Sequence, residues 1–261
     1  MTLDFTLDKY AELCETIRHL DCPVMTVRDF LKAGQPGGLR VILRHDVDRR
    51  MSAALRMAEL ESRYDIAATY YVRTTRAVFH PKALRHLHAL GHEVGYHYEV
   101  LAKANGNMER AIALFQEELH RFREIVPVET VSMHGSPLSR WNNLDLWETH
   151  NIWDYGLCGE IYLGIDYSEM FYFTDTGRSW YDGKYNLRDR VESKKSPRKV
   201  VDTDDLIAFL RQNVNNPILI NVHPNRWASN YGTWLRGNLL DWLTNQAKVL
   251  VIWHRNISGK E

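Results

Sequence analysis

From residue 40 onward, short apolar runs alternate with amphipathic stretches, and no feature of the sequence constrains the fold more. Arg40–Asp48 reads as a buried strand, and Ser52–Tyr64 as a helix with Met57, Leu60 and Tyr64 on one face. Ala67–Arg73 reads as a strand. Pro81–Leu90 reads as a helix closed by Gly91, and His92–Tyr98 as a third strand. Asn107 caps a helix striped by Ile112, Phe115, Leu119, Phe122 and Val126, and Thr130–His134 follows as a strand. Strands separated by helical crossovers pair in parallel, so the chain specifies an α/β fold.

The middle and end extend the pattern. Leu144–His150 is read as helical, Glu160–Ile165 and Met170–Thr174 as extended, and 175–198 as a long polar loop. Asp202–Gln212 is a helix with acids in its first turn, Pro217–His223 a strand, Gly232–Gln246 a helix and Lys248–Trp253 a final strand. Residues 1–39 form a helical N-terminal extension, Leu7–Leu20 and Thr26–Lys32, on a single domain spanning 1–261. About seven parallel strands over roughly 220 residues suit a distorted (β/α) barrel, with an open doubly wound sheet as the alternative. In either, ligands gather at the carboxyl ends of the strands.

Composition narrows the function classes. Lys and Arg number 33 against 33 Asp and Glu, which argues against a nucleic-acid binder relying on phosphate neutralisation. No apolar run is long enough for a membrane span, and the start of the chain has no secretory pattern. Cys14, Cys22 and Cys158 match neither a metal-spaced set nor a disulfide framework, so a reducing, cytoplasmic setting is expected.

The expected strand ends carry the chemistry. Asp46 and Asp48 are two apart on one strand and share a face. Two neighbouring carboxylates repel unless a cation offsets them. One can then hold a divalent metal while the other accepts a proton from water. His97 ends the third strand with Glu99 on its face, His134 ends the fourth, and His223 ends a late one, where an imidazole suits general-acid work. His45 points away from Asp46 and is expected to be packed; His92 lies at the opposite end of its strand and is expected to be structural. Tyr98, Trp141, Tyr172, Trp180 and Trp227 are candidates to stack on sugar faces, and Arg140, Asp175 and Arg178 to hold polar substrate groups.

In motif order the chain resembles the polysaccharide deacetylase superfamily, the NodB-homology or carbohydrate esterase family four. Leu43–Asp48 is similar to the family's Thr-Phe-Asp-Asp-Gly motif, with one extra residue between the acids, which makes Asp46 the base and Asp48 a metal ligand. Gly91–His97 is similar to the stretch leading to the first metal histidine, which matches His97, and Ile218–His223 resembles the last motif. The second metal histidine falls at Leu101, and the Arg-x-Pro-Pro-Tyr segment is replaced by Met133–Pro137; His134 is the first substitute ligand and Glu99 the second. The pattern is similar to WbmS-like members of bacterial O-antigen loci.

The resemblance implies a metal-dependent hydrolase, zinc foremost, that removes an N-acyl group from a sugar, glycan or nucleotide sugar of surface polysaccharide. The competing reading from another class is a catalytically inactive barrel that binds glycans or acts as a scaffold. A metal phosphoesterase is weaker, because no phosphate-cradling Gly-rich loop is present.

Overall fold

The computed structural model describes residues 3–136, 139–180, 191, 193, 200–212 and 215–257. Helix α1 (Leu7–Arg18) begins at Thr6, whose side chain accepts from Lys9 N; strand β1 (Val24–Met25) and helix α2 (Val27–Lys32) follow. Then come β2 (Arg40–Val47), α3 (Met51–Arg63), β3 (Thr69–Val72), α4 (Pro81–Ala89), β4 (Glu93–Tyr98), α5 (Val100–Lys103), α6 (Met108–Arg123) and β5 (Thr130–Met133). The later elements are β6 (Gly159–Glu160), α7 (Ile161–Gly164), β7 (Phe171–Thr174), α8 (Thr203–Leu210), β8 (Pro217–Val222) and α9 (Tyr231–Ile257).

The strands form one all-parallel sheet in the order β6-β5-β4-β3-β2-β8-β7. The short β1 pairs with the start of β2, and β3 with its end. Edge strands β6 and β7 do not pair with each other among the described residues, so the barrel is curled but not closed. Every residue of β3, β4, β5 and β8 is buried, as expected of parallel strands covered on both faces.

The pleat of β2 sets the layers. Val41, Leu43 and Val47 join the large core under the helices, while Ile42 joins a second cluster with Tyr71, Ile161, Tyr172 and Leu219. Arg44 lies over the Tyr71 and Tyr162 rings of this second layer. Beyond it, toward the carboxyl ends of the strands, the lining turns polar.

Three segments differ from the sequence reading. Glu160–Ile165 turns into α7 because the Glu160 carboxylate caps it, accepting from Tyr162 N at 2.7 Å and Leu163 N at 3.1 Å. Lys248–Trp253 continues α9 instead of forming a strand; a short apolar run has no period that separates the two. Leu144–His150 is a 3₁₀ helix, Asn143–Glu148. Of the loop read over 175–198, residues 181–190, 192 and 194–198 lie outside the described residues. Among the described residues, no helix is long and apolar enough to cross a membrane.

Candidate active site

Strand β2 delivers an arginine and a carboxylate to the same face, and the arginine holds the carboxylate from both sides. Arg44 is fully buried; its Nε donates to Asp46 Oδ1 and its Nη2 to Asp46 Oδ2, each at 2.9 Å. Nη2 also reaches Ser132 Oγ at 2.8 Å and Tyr162 OH at 2.9 Å. Asn221 Nδ2 donates to Asp46 Oδ2 at 3.2 Å, which leaves Oδ1 the less occupied oxygen. Burial pushes the Asp46 carboxyl up, but the Arg44 guanidinium beside it outweighs this and holds the group well below the usual carboxylate range.

Asp48 stands just beyond the end of β2. Its Oδ1 is buried and accepts no hydrogen bond. His97 Nε2 lies 3.6 Å from that oxygen and His134 Nε2 lies 3.7 Å from it. Both imidazoles are fixed from behind. His97 Nδ1 is 3.0 Å from Ser132 O, an acceptor only, so Nδ1 carries the hydrogen and Nε2 the lone pair. Burial drives the His97 pKa down to about 4 against the pull of Asp46 and Asp48, so the ring is neutral at ordinary pH. His134 Nδ1 lies 3.1 Å from Glu99 Oε2 and 3.0 Å from Ser136 Oγ, and its backbone N–H donates to Tyr98 O at 2.7 Å. Glu99 is itself held by Arg73 Nη2 at 2.8 and 2.7 Å.

Two of these separations can be compared with those of donors to one divalent ion. Two donors at ~2.1 Å from a tetrahedral metal stand roughly 3.4 Å apart, close to the 3.6 and 3.7 Å separations of Asp48 Oδ1 from the two histidine nitrogens. Among the described residues, no group of three or more His, Cys, Asp or Glu side chains stands close enough together to hold a metal ion as the side chains are placed. The fit rests on the unpartnered Asp48 oxygen facing two lone-pair nitrogens, each backed by an outer hydrogen bond. Leu101, where the resemblance expects a second histidine, is buried in the apolar core.

Across the cleft, β7 and β8 supply a second carboxylate–histidine pair. Asp175 is fully buried and accepts from His223 Nδ1 at 2.6 Å, His223 N at 3.0 Å, Arg226 Nη1 at 2.6 Å and Trp227 Nε1 at 2.9 Å. Burial raises its pKa, yet Arg226 and His223 hold it down at about 2. The ring is thereby set with Nε2 toward Asp46, 4.0 Å from Oδ2.

Several residues expected at the substrate stand elsewhere. Tyr98 is fully buried, edge-on to Phe115 and Trp147, with its hydroxyl accepting from Trp147 Nε1; it has no face for a sugar. Trp180 is buried beside Phe5 and Trp227 and donates to Thr203 Oγ1, so it is a core residue. Arg178 turns to α9, where its Nε meets Asp241 at 2.6 Å. Asp175 is spent on His223, Arg226 and Trp227, and Glu99 on His134 and Arg73, so neither is free for a substrate. Tyr172 and Trp227 are buried too. Arg140 and Trp141 keep some exposure, the guanidinium 4.5 Å from the indole ring. Arg44, Asn221 and Arg226 were missed. Period two put Arg44 on the face of Asp46 and Asn221 on that of His223, a signal available in the sequence.

No protein-family model and no curated protein matches the sequence. Among solved structures, the chain is similar to a mutant form of the peptidoglycan deacetylase PdaC from Bacillus subtilis. The identity is 13%, with 81% of this chain and 84% of that chain covered and a TM-score of 0.39.

Proposed function

We propose that the protein is a metal-dependent hydrolase that removes an N-acyl group, N-acetyl foremost, from an amino sugar of bacterial surface polysaccharide or its precursor. The observation that carries this reading is the unpartnered Asp48 Oδ1 between His97 Nε2 and His134 Nε2, with Asp46 and His223 at hand. Asp48, His97 and His134 would hold the ion, and their nitrogen and oxygen donors favour zinc while admitting nickel, cobalt or manganese. The chemistry such an ion supplies is polarisation of the acyl carbonyl and acidification of water.

The chain's own groups do the rest. Asp46 accepts the proton of the attacking water, most readily at Oδ1, while Arg44 and Asn221 keep the carboxylate ionised and aimed. His223, anchored through Nδ1 by Asp175, presents Nε2 to protonate the departing amine. Three free cysteines suit a reducing, cytoplasmic setting.

The inactive glycan-binding barrel is favoured by one observation: the two-point Arg44 clamp lowers the proton affinity of Asp46. Amine release from N-acetylated sugars by the zinc-loaded protein separates the two readings. The hydrolase reading expects turnover that falls ~10² to 10⁴-fold in Asp46→Asn with metal content unchanged. Metal-loaded wild type that releases no amine from any N-acyl sugar would establish the inactive barrel instead.

A further inference from the structure

Immediately after Asp48 the chain enters a groove that the proposed hydrolysis does not use. It has a volume of about 650 Å³ and lies between the first turns of α3 and α4. Its cationic side chains are Arg49, Arg50 and Lys82, and its apolar floor is Met51, Leu55 and Ala83. No Asp or Glu lines it. The side chains of Arg49, Arg50 and Lys82 form no hydrogen bond or ion pair among the described residues, whereas His86 on the rim lies 3.4 Å from Glu59. Scattered exposed lysines and arginines are usually just solvated. Here three cations without counter-charges surround a concave, partly apolar wall. Both helices also start without a side-chain cap, at Arg50 and at His80.

The chemistry that completes such a wall is an anion joined to a flat or apolar group. Its volume falls in the range of small-molecule sites. Its position says what the anion belongs to: Arg49 follows the proposed metal ligand Asp48, one Cα step of ~3.8 Å along the chain. We infer that the groove takes the diphosphate and nucleoside of a nucleotide-linked sugar whose N-acylated ring occupies the cleft. This rests on the hydrolase reading and narrows its substrate from any N-acylated glycan to a nucleoside-diphosphate sugar. Arg49 and Arg50 bind the diphosphate as it leaves the cleft, Lys82 closes on it from α4, and the base lies on Met51 and Leu55. A groove of about 650 Å³ with only Met51, Leu55, Ala77 and Ala83 as its apolar lining suits a nucleoside better than a polyprenyl tail.

The test is calorimetric binding of uridine diphosphate to the intact metal-loaded protein, with inorganic pyrophosphate and farnesyl diphosphate as comparison probes. The variants are Arg49→Gln/Arg50→Gln and Lys82→Ala, all at exposed positions, with thermal melting to verify folding. Uridine diphosphate is expected to bind more tightly than pyrophosphate, and more weakly as salt rises. Loss of each charge-assisted contact should weaken it about tenfold. Equal binding to wild type and both variants, or no binding to wild type, overturns the groove assignment. Tighter binding of farnesyl diphosphate overturns the nucleoside. Amine release then separates this inference from the reading beneath it. If a free N-acetyl sugar is deacylated as well as its uridine-diphosphate conjugate, the groove assignment falls and the hydrolase stands. If uridine diphosphate binds through Arg49 and Arg50 but no N-acyl sugar yields amine, the hydrolase falls and the groove stands.

Discussion

Strand β2 carries two buried clusters of histidine and carboxylate on opposite faces, one residue out of phase. Behind the sheet, Glu61 accepts from His45 at 2.6 Å, from Tyr70 OH at 2.7 Å and from Tyr10 OH, with His92 Nδ1 at 3.7 Å. His92 is tied down as well, Nε2 to Ala58 O at 3.0 Å and Nδ1 to Ala68 N at 3.2 Å. Both carboxylate oxygens of Glu61 are engaged, and His45 stacks on Tyr70. On the cleft face, Asp48 Oδ1 has no hydrogen bond, and the nearest His97 and His134 nitrogens stop at 3.6 and 3.7 Å from it. The residue types are similar and the carboxylates differ in satisfaction: both Glu61 oxygens are filled, although His45 Nδ1 is buried without a hydrogen bond, whereas Asp48 Oδ1 is open. A carboxylate whose acceptors are filled by its own fold rigidifies that fold, whereas one left open beside lone-pair nitrogens is built for something absent from the chain.

That contrast can be broken by mutation. The largest expected effect is at Glu61: burial raises its pKa, but His45 keeps the group ionised, so Glu61→Gln breaks a filled network. We expect a loss of ~3 to 5 kcal/mol in stability, read by denaturant midpoint, with zinc content unchanged. Loss of zinc in this variant would show that the two clusters are not independent.

A smaller effect is expected at Glu99, which backs His134. Glu99→Gln should weaken metal affinity ~10 to 100-fold, measured by competition with a chelator, and leave His97 in place. An unchanged affinity would remove His134 from the ligand set.

The smallest effect is confined to acid. The folded-state pKa of Asp175 is about 2, below its unfolded value of ~3.9, so its contribution is complete above about pH 5 and is lost progressively as pH falls through 2. The difference corresponds to ~2.6 kcal/mol. Urea unfolding between pH 5 and 2 should show a shallower acid loss in Asp175→Asn than in wild type; equal slopes would mean that the His223 pair is not ionised in this way.

The strand-to-helix alternation made the parallel sheet legible, because short apolar-rich runs recur between helices that carry their own stripes. The pleat of β2 was legible in the same way, since Asp46 and Asp48 needed only period two to be placed together, and His45 to be turned away. Partners supplied by other strands were not. Asp175 meets His223 because β7 lies beside β8, and no local pattern announces that neighbour. Aromatic function was also illegible: Tyr98 and Trp180 have the same composition signal whether they face a sugar or fill a core, and packing against Phe115, Trp147, Phe5 and Trp227 decided it. The 248–253 run misled because its apolar content suits strand and helix equally.

The most direct measurement is anomalous X-ray scattering from crystals of the zinc-loaded protein, paired with elemental analysis of wild type and His97→Ala. The account predicts one divalent ion per chain, ~2.0 to 2.2 Å from an Asp48 oxygen and from Nε2 of His97 and His134, and its loss in the variant. An ion bound away from these three side chains, or full metal retention in His97→Ala, would contradict it.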